Sequence, residues 1–190
     1  MTRKEQKELR KQQILDTALT LFVQQGYYGT KTSQISKQAG ISEGLLFHYF
    51  PTKEKLLEEL VTFGVTGMQM PMEIQAEKGL DFFRLFVTRL LGYVKQNPFI
   101  ARMFVFMAHI ARAQDIPEHI REMAVSVDTI QNSCVWVEKG QKDGTVRAGD
   151  PLSLSNLYWC CIHGLMEQYA MNPDIPLPEP EWVVAMLRAE

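Results

Sequence analysis

Apolar residues recur at helical spacing along most of the chain, and no stretch shows the apolar–polar alternation of a strand. Ile14, Ala18, Leu21 and Phe22 predict a helix over residues 4–25, with Gly26 as its stop. Two short segments follow. In the first, Ile35 and Ala39 lie four apart, and in the second Leu46 and Phe50 repeat the interval, so each buries one stripe. Leu56, Leu57, Leu60, Val61 and Phe63 extend a fourth helix from residue 52 or 53 to about 68, ended by Pro71. A strongly apolar helix over 78–96 closes at Asn97-Pro98, and the next, 98–113, is apolar on nearly every side and is expected at the centre of a domain. Beyond Asp115-Ile116-Pro117 the pattern predicts one long helix to Gly140, then a loop over 140–149. Asp150-Pro151 reads as the cap and first position of a helix through about 171. Pro173, Pro176, Pro178 and Pro180 form a stiff linker before a last helix from 181, in whose pattern the sequence ends, so truncation there is open. The fold class is all-α.

The two short segments form a helix-turn-helix. Gly40 between them supplies the left-handed backbone that ends a helix, Ser42 caps the next, and small Ala39 suits a close crossing. The second segment then presents Glu43, Gly44, Leu45, Phe47, His48 and Tyr49 to a partner, which for this motif is the DNA major groove. Ser42, Gly44 and the amides of the helix start approach phosphates, and Lys53 follows as a point charge for another. His48 is the candidate base reader, with a phosphate or water contact as its alternative.

Residues 14–60 carry a family resemblance. The phenylalanine-bearing first helix, Gly26-Tyr27, a threonine cap, Ile35, Ala39-Gly40-Ile41-Ser42, Gly44, Leu46, Tyr49-Phe50 and Lys53 resemble the DNA-binding domain of the tetracycline-repressor (TetR) family. Two positions depart: Phe47 stands where the family often has tyrosine, and acidic Glu43 where basic or neutral residues are frequent. The resemblance implies an N-terminal three-helix, homeodomain-like domain over 1–52 and a helical ligand-binding and dimerisation domain over 53–190. It also implies a homodimer on a palindromic operator, acting as a repressor released by a small hydrophobic molecule. The expected DNA-binding set is Thr32, Ser33, Ser42, Gly44, Leu45, Phe47, His48, Tyr49 and Lys53.

Adaptable and aromatic side chains on the central helices make Phe83, Phe86, Met103, Phe106, Met107, Ile110 and Trp136 candidate ligand contacts, with Tyr93 and His109 as polar ones. A filled core is the alternative for each. Leu157, Tyr158, Cys161, Leu165, Trp182, Val183 and Met186 on the last two helices offer more apolar surface than one subunit covers, and predict a dimer through a four-helix bundle.

Charge sharpens this division. Overall the chain carries −2, yet residues 1–55 hold nine Lys or Arg against five Asp or Glu, and the remainder eleven against seventeen. Arg3, Lys4, Lys7, Arg10 and Lys11 crowd the leading end, where they either track a phosphate backbone or form a solvated helix end. Three cysteines without framework spacing point to a reducing, cytoplasmic setting, and no apolar run spans a membrane. Cys160, Cys161 and His163, with His109 or His119, lack metal-site spacing, so neither metal nor cofactor is expected. No phosphate-cradling glycine loop or nucleophile motif points to catalysis. The competing readings are a helical small-molecule-binding protein or enzyme that has lost DNA binding, and a protein-interaction module.

Overall fold

The computed structural model describes residues 2–190, which form ten α-helices and one 3-10 turn. Among the described residues the sole extended pairing is an isolated bridge between Val146 and Arg188. The helices gather into two compact units. One holds residues up to Val65 together with Phe106–Val125; the other holds Thr66–Val105 and Ser126–Glu190. This division differs from the boundary expected at residue 52, because the first turns of the fourth helix and a segment from mid-chain belong to the first unit.

In the first unit, α1 (Arg3–Gly29) opens with a capping box, in which the Glu5 N–H donates to Thr2 Oγ1 and the Thr2 N–H to the Glu5 carboxylate. At Gly26 the backbone reaches φ 72°, which interrupts the helix for one further turn to Gly29, so the expected stop is a kink. Buried Thr30 closes that turn, its hydroxyl donating to the carbonyls of Gly26 (2.8 Å) and Leu21 (3.2 Å). α2 (Thr32–Gln38) and α3 (Glu43–Tyr49) follow, then the start of α4 (Lys53–Gln69). Ile14, Ala18, Leu19, Phe22, Ile35, Leu46, Leu56, Leu57 and Leu60 are buried in one core, each worth roughly 1.5–3 kcal/mol for the larger side chains. The end of α6 (Phe99–Arg112) and α7 (Glu118–Ala124) complete the unit, and Phe106 stacks on Phe22 at 6.4 Å between ring centroids. The apolar pattern of α6 places it at the centre of one domain. Its residues are instead divided between the two units.

The single long helix expected up to Gly140 is two helices, α7 and α8 (Thr129–Lys142). Val125, Ser126 and Val127 are weak helix formers, and Asp128 restarts the chain by accepting from the Gln131 N–H at 2.9 Å. Gly140 does not end α8 but lies inside it. A Cβ on Gly79 would stand 2.1 Å from the Gly140 nitrogen and 2.3 Å from the Trp136 oxygen, so two glycines allow α8 to meet the start of α5 (Gly79–Gln96). The turn falls at Gly144, with φ 76°.

The second unit packs α8 along α9 (Pro151–Met171), with α5 against α8 and α10 (Pro180–Val184). Its core includes Phe83, Val87, Val94, Val137, Tyr158, Ile162, Met166 and Val184. A polar chain runs through it: Trp159 Nε1 donates to Ser133 Oγ at 2.8 Å, Ser133 and Ser155 hydroxyls meet at 2.7 Å, and Ser155 donates to the Ile130 carbonyl. Each such group would be costly to bury unpaired, so the network fixes how α8 and α9 meet. The last helix is shorter than its pattern indicates. After Val184 the chain pairs with the α8–α9 loop, the Arg147 N–H donating to the Leu187 carbonyl and the Ala189 N–H to that of Thr145.

Candidate nucleic-acid interface and ligand cavity

The turn between α2 and α3 is built as its residues require. Gly40 adopts φ 65°, the Ile41 N–H returns to the Ser36 carbonyl, and Ser42 Oγ accepts from the Leu45 N–H at 3.2 Å. Leu46 and Phe50 are buried and seat α3, which leaves Ser42, Glu43, Gly44, Leu45, Phe47 and His48 exposed and Tyr49 partly so. Leu45 and Phe47 are 38% and 43% exposed although both are large and apolar. Ser33 is exposed at the start of α2, while the Thr32 hydroxyl donates to the Glu43 carboxylate at 3.2 Å and so ties the starts of α2 and α3. The Gln34 amide donates to Gln25 and joins α2 to α1.

Lys53 is placed differently from the free point charge expected. Its ammonium donates to the carbonyls of Tyr27 (2.9 Å) and Thr30 (3.0 Å) and stands 4.1 Å from the Tyr27 ring centroid. Two of its three N–H directions are thus taken by the end of α1, and burial lowers its pKa from the usual lysine value. Lys53 is a clasp that fixes the start of α4 against the kinked end of α1. The two carbonyls lie 26 and 23 residues before Lys53, so no local pattern in the sequence marks this contact. Lys11, expected among the basic residues of the leading end, pairs with Glu59 at 2.5 Å; Arg3, Lys4, Lys7 and Arg10 are exposed.

The expected ligand contacts do not converge. Phe83 is fully buried, and Tyr158 donates its hydroxyl to the Phe83 carbonyl at 2.8 Å; burial holds that phenol well above its ordinary pKa. Phe86 lies against Trp159, Met103 is buried, and Tyr93 is 51% exposed. Phe106, Met107, His109 and Ile110 belong to the first unit, where Phe106, His109 and Ile110 line a hollow of ~200 Å³ beside Phe22, Tyr27 and Tyr28. Trp136 alone of the nine lines the larger cavity, ~280 Å³ in the second unit. Its walls are Met68, Pro71, Met72, Phe82, Trp136 and Trp159, with Thr129, Asn132 and Ser133 as the polar groups. Phe82 and Trp136 stack within 5° of parallel and form one face. Sequence reasoning missed eight of these nine, because they come from four separate stretches of the chain.

The expected dimer residues also divide. Tyr158 and Val183 are buried in the core of their own chain and have no surface to give a partner. Cys161, Leu165 and Met186 pack partly against that core, whereas Leu157 and Trp182 are 48% and 71% exposed. α10 has five residues, too few to supply half of a four-helix bundle. Elsewhere on α8 and α9, Val135, Leu152 and Met171 are exposed.

Among the described residues no helix is long and apolar enough to cross a membrane, and no group of three His, Cys, Asp or Glu is placed to hold a metal ion. A capped three-helix head whose middle turn exposes one side of a short helix defines a helix-turn-helix protein of the all-α class. Residues 14–60 match the family described as bacterial regulatory proteins, tetR family. The chain is 28% identical over 147 residues to the HTH-type transcriptional regulator YhgD of Bacillus subtilis, covering 75% of this chain and 74% of that protein. It is 24% identical over 170 residues to the nucleoid occlusion factor SlmA of Escherichia coli, covering 87% and 85%. In structure it is similar to the TetR-family regulator PfmR of Thermus thermophilus, with a TM-score of 0.68 and 20% identity over 93% of this chain and 97% of that one. A tetR-family regulatory protein of Rhodococcus RHA1 gives 0.68 at 18% identity over the whole of both chains. Residues 14–60 thus carry the segment that the tetR-family model describes, and the fold of the whole chain is similar to that of TetR-family regulators.

Proposed function

We propose that the chain is a ligand-responsive repressor that binds a palindromic operator as a homodimer and releases it when a small hydrophobic molecule binds. The observation that carries DNA binding is the exposed side of α3, raised on a buried Leu46–Phe50 stripe in the basic part of the chain. Ser42, Gly44, Leu45, Phe47, His48 and Tyr49 meet the major groove, and Thr32 and Ser33 meet the backbone beside it. Lys53 supports them by holding α4, with its remaining N–H directed to solvent or phosphate.

The effector site is the ~280 Å³ cavity of the second unit. Two indoles, a phenyl ring and two methionines favour a compact apolar molecule, and Thr129, Asn132 and Ser133 orient one polar group on it. Exposed Leu157, Val135 and Met171 on α8 and α9 support a two-fold pairing of those helices. For switching, the effector must prefer one arrangement of the dimer, and a tenfold change in operator affinity requires about 1.4 kcal/mol of coupling.

The test is operator affinity with and without a compound found by thermal-shift screening. A compound that raises the melting temperature of the wild type more than that of Asn132→Leu, and weakens operator binding at least tenfold, is the expected result. Stabilisation through the cavity with unchanged operator affinity would overturn the effector role.

A further inference from the structure

We propose that Leu45 and Phe47 read the C5-methyl groups of thymine, one from each flank of α3; this rests on the operator-binding reading above. α3 has the sequence EGLLFHY and contains no Arg, Lys, Asn or Gln, the side chains that form paired hydrogen bonds to guanine or adenine in the major groove. Beside His48 and Glu43, its large exposed residues are the apolar Leu45 and Phe47. Leu45 and Phe47 keep 38% and 43% of their surface in water, while Leu46 between them and Phe50 beyond are buried at 1% and 4%. At about 100° per residue, Leu45 and Phe47 fall on opposite sides of a strip formed by Gly44 and His48.

A helix enters a groove about 12 Å wide with its outer strip toward the base edges and a flank toward each wall. Gly44 places no side chain in the way, and even an added Cβ would find only Ser42 Oγ, at 4.0 Å. The apolar feature that a base pair offers in that groove is the thymine methyl. Burying Leu45 and Phe47 against it removes apolar surface on both partners, whereas hydrogen-bonding edges would be desolvated without a donor or acceptor to meet them. Glu43, the anionic group of α3, is held by the Thr32 hydroxyl at the start of the helix, away from the strip occupied by His48.

The experiment begins with selection of half-sites from a random, unmethylated duplex pool by the full chain, so that any methyl read belongs to thymine. Each thymine of the selected half-site is then replaced by uracil, which keeps the pairing edge and loses only the methyl. The expected result is a loss of about fourfold in affinity at one or more positions, the worth of a buried methyl group. Leu45→Ala and Phe47→Ala should each bind the thymine and uracil duplexes alike at one such position. Both side chains are exposed, so these variants should stay folded, with the wild-type melting temperature as the check. Equal binding of thymine and uracil duplexes by the wild type, or selected half-sites without thymine, would overturn the proposal while leaving operator binding intact. Failure to enrich any sequence, seen before the uracil step, would overturn operator binding and this proposal with it.

Discussion

Lys53 shows how one residue can be visible in a sequence while its job is not. Its place after a helix-turn-helix marks it as a cation near the interface; its ammonium is nevertheless held by the carbonyls of Tyr27 and Thr30. Lys53→Met keeps the apolar stem and removes the charge, and should lower stability in the absence of DNA by about 1.5–3 kcal/mol, the range for hydrogen bonds to a charged group. Urea denaturation of the free protein reads this. An unchanged midpoint would return Lys53 to a phosphate contact alone, whose mark is a shallower salt dependence of binding. Tyr158 teaches the converse: in the sequence it reads as a surface for a partner, yet its ring is wholly buried. Tyr158→Phe should cost about 1 kcal/mol by loss of the bond to the Phe83 carbonyl, and leave the oligomeric state unaltered by light scattering.

Among the helices, periodicity located most elements to within a residue or two, since an apolar stripe is a local property of the chain. α5 and α9 fall where their apolar repeats and flanking prolines place them. Periodicity failed where neighbours decide. Val127, Ile130 and Cys134 continue the stripe of Ile120 and Met123, so nothing in the spacing marks the break that Asp128 makes between α7 and α8. Gly140 reads as punctuation because glycine usually is; close contact with Gly79 keeps it inside a helix. Three glycine-to-alanine variants should therefore rank by what the new methyl meets. Gly79→Ala faces backbone on all three nearest atoms and should be the most damaging, at about 3 kcal/mol or more. Gly140→Ala meets the Val146 side chain and should cost less, about 1–3 kcal/mol. Gly26→Ala has open space and only a left-handed backbone to resist it, about 1 kcal/mol. Denaturant midpoints in another order would show that the α5–α8 crossing relaxes more freely than its geometry indicates.

For the whole molecule, the exposed side of α3 was legible and the cavity was not. The face depends on seven consecutive residues and one glycine turn, so its pattern survives in sequence. The cavity needs the end of α4 and the turn after it, the starts of α5 and α8 and the middle of α9 in one place, and four of the nine side chains expected there belong to the other unit. Pairing of subunits is the property that a single chain displays least. Leu157→Arg would put a charge on the exposed side of α9 without touching the core, and should give a monomer by light scattering with operator affinity reduced by tenfold or more. A variant that stays dimeric would move the interface off that side of α9.

The two indoles in the cavity wall also make the protein its own optical probe. Of three tryptophans, Trp136 and Trp159 face the cavity, the second anchored by its bond to Ser133, while Trp182 is 71% exposed. Emission from the first two should be blue-shifted relative to that of Trp182 and should change when the cavity fills. Trp182→Phe would strip away the solvent-exposed background and leave a label-free signal from the cavity wall alone, so that a titration followed at a single wavelength counts occupied sites.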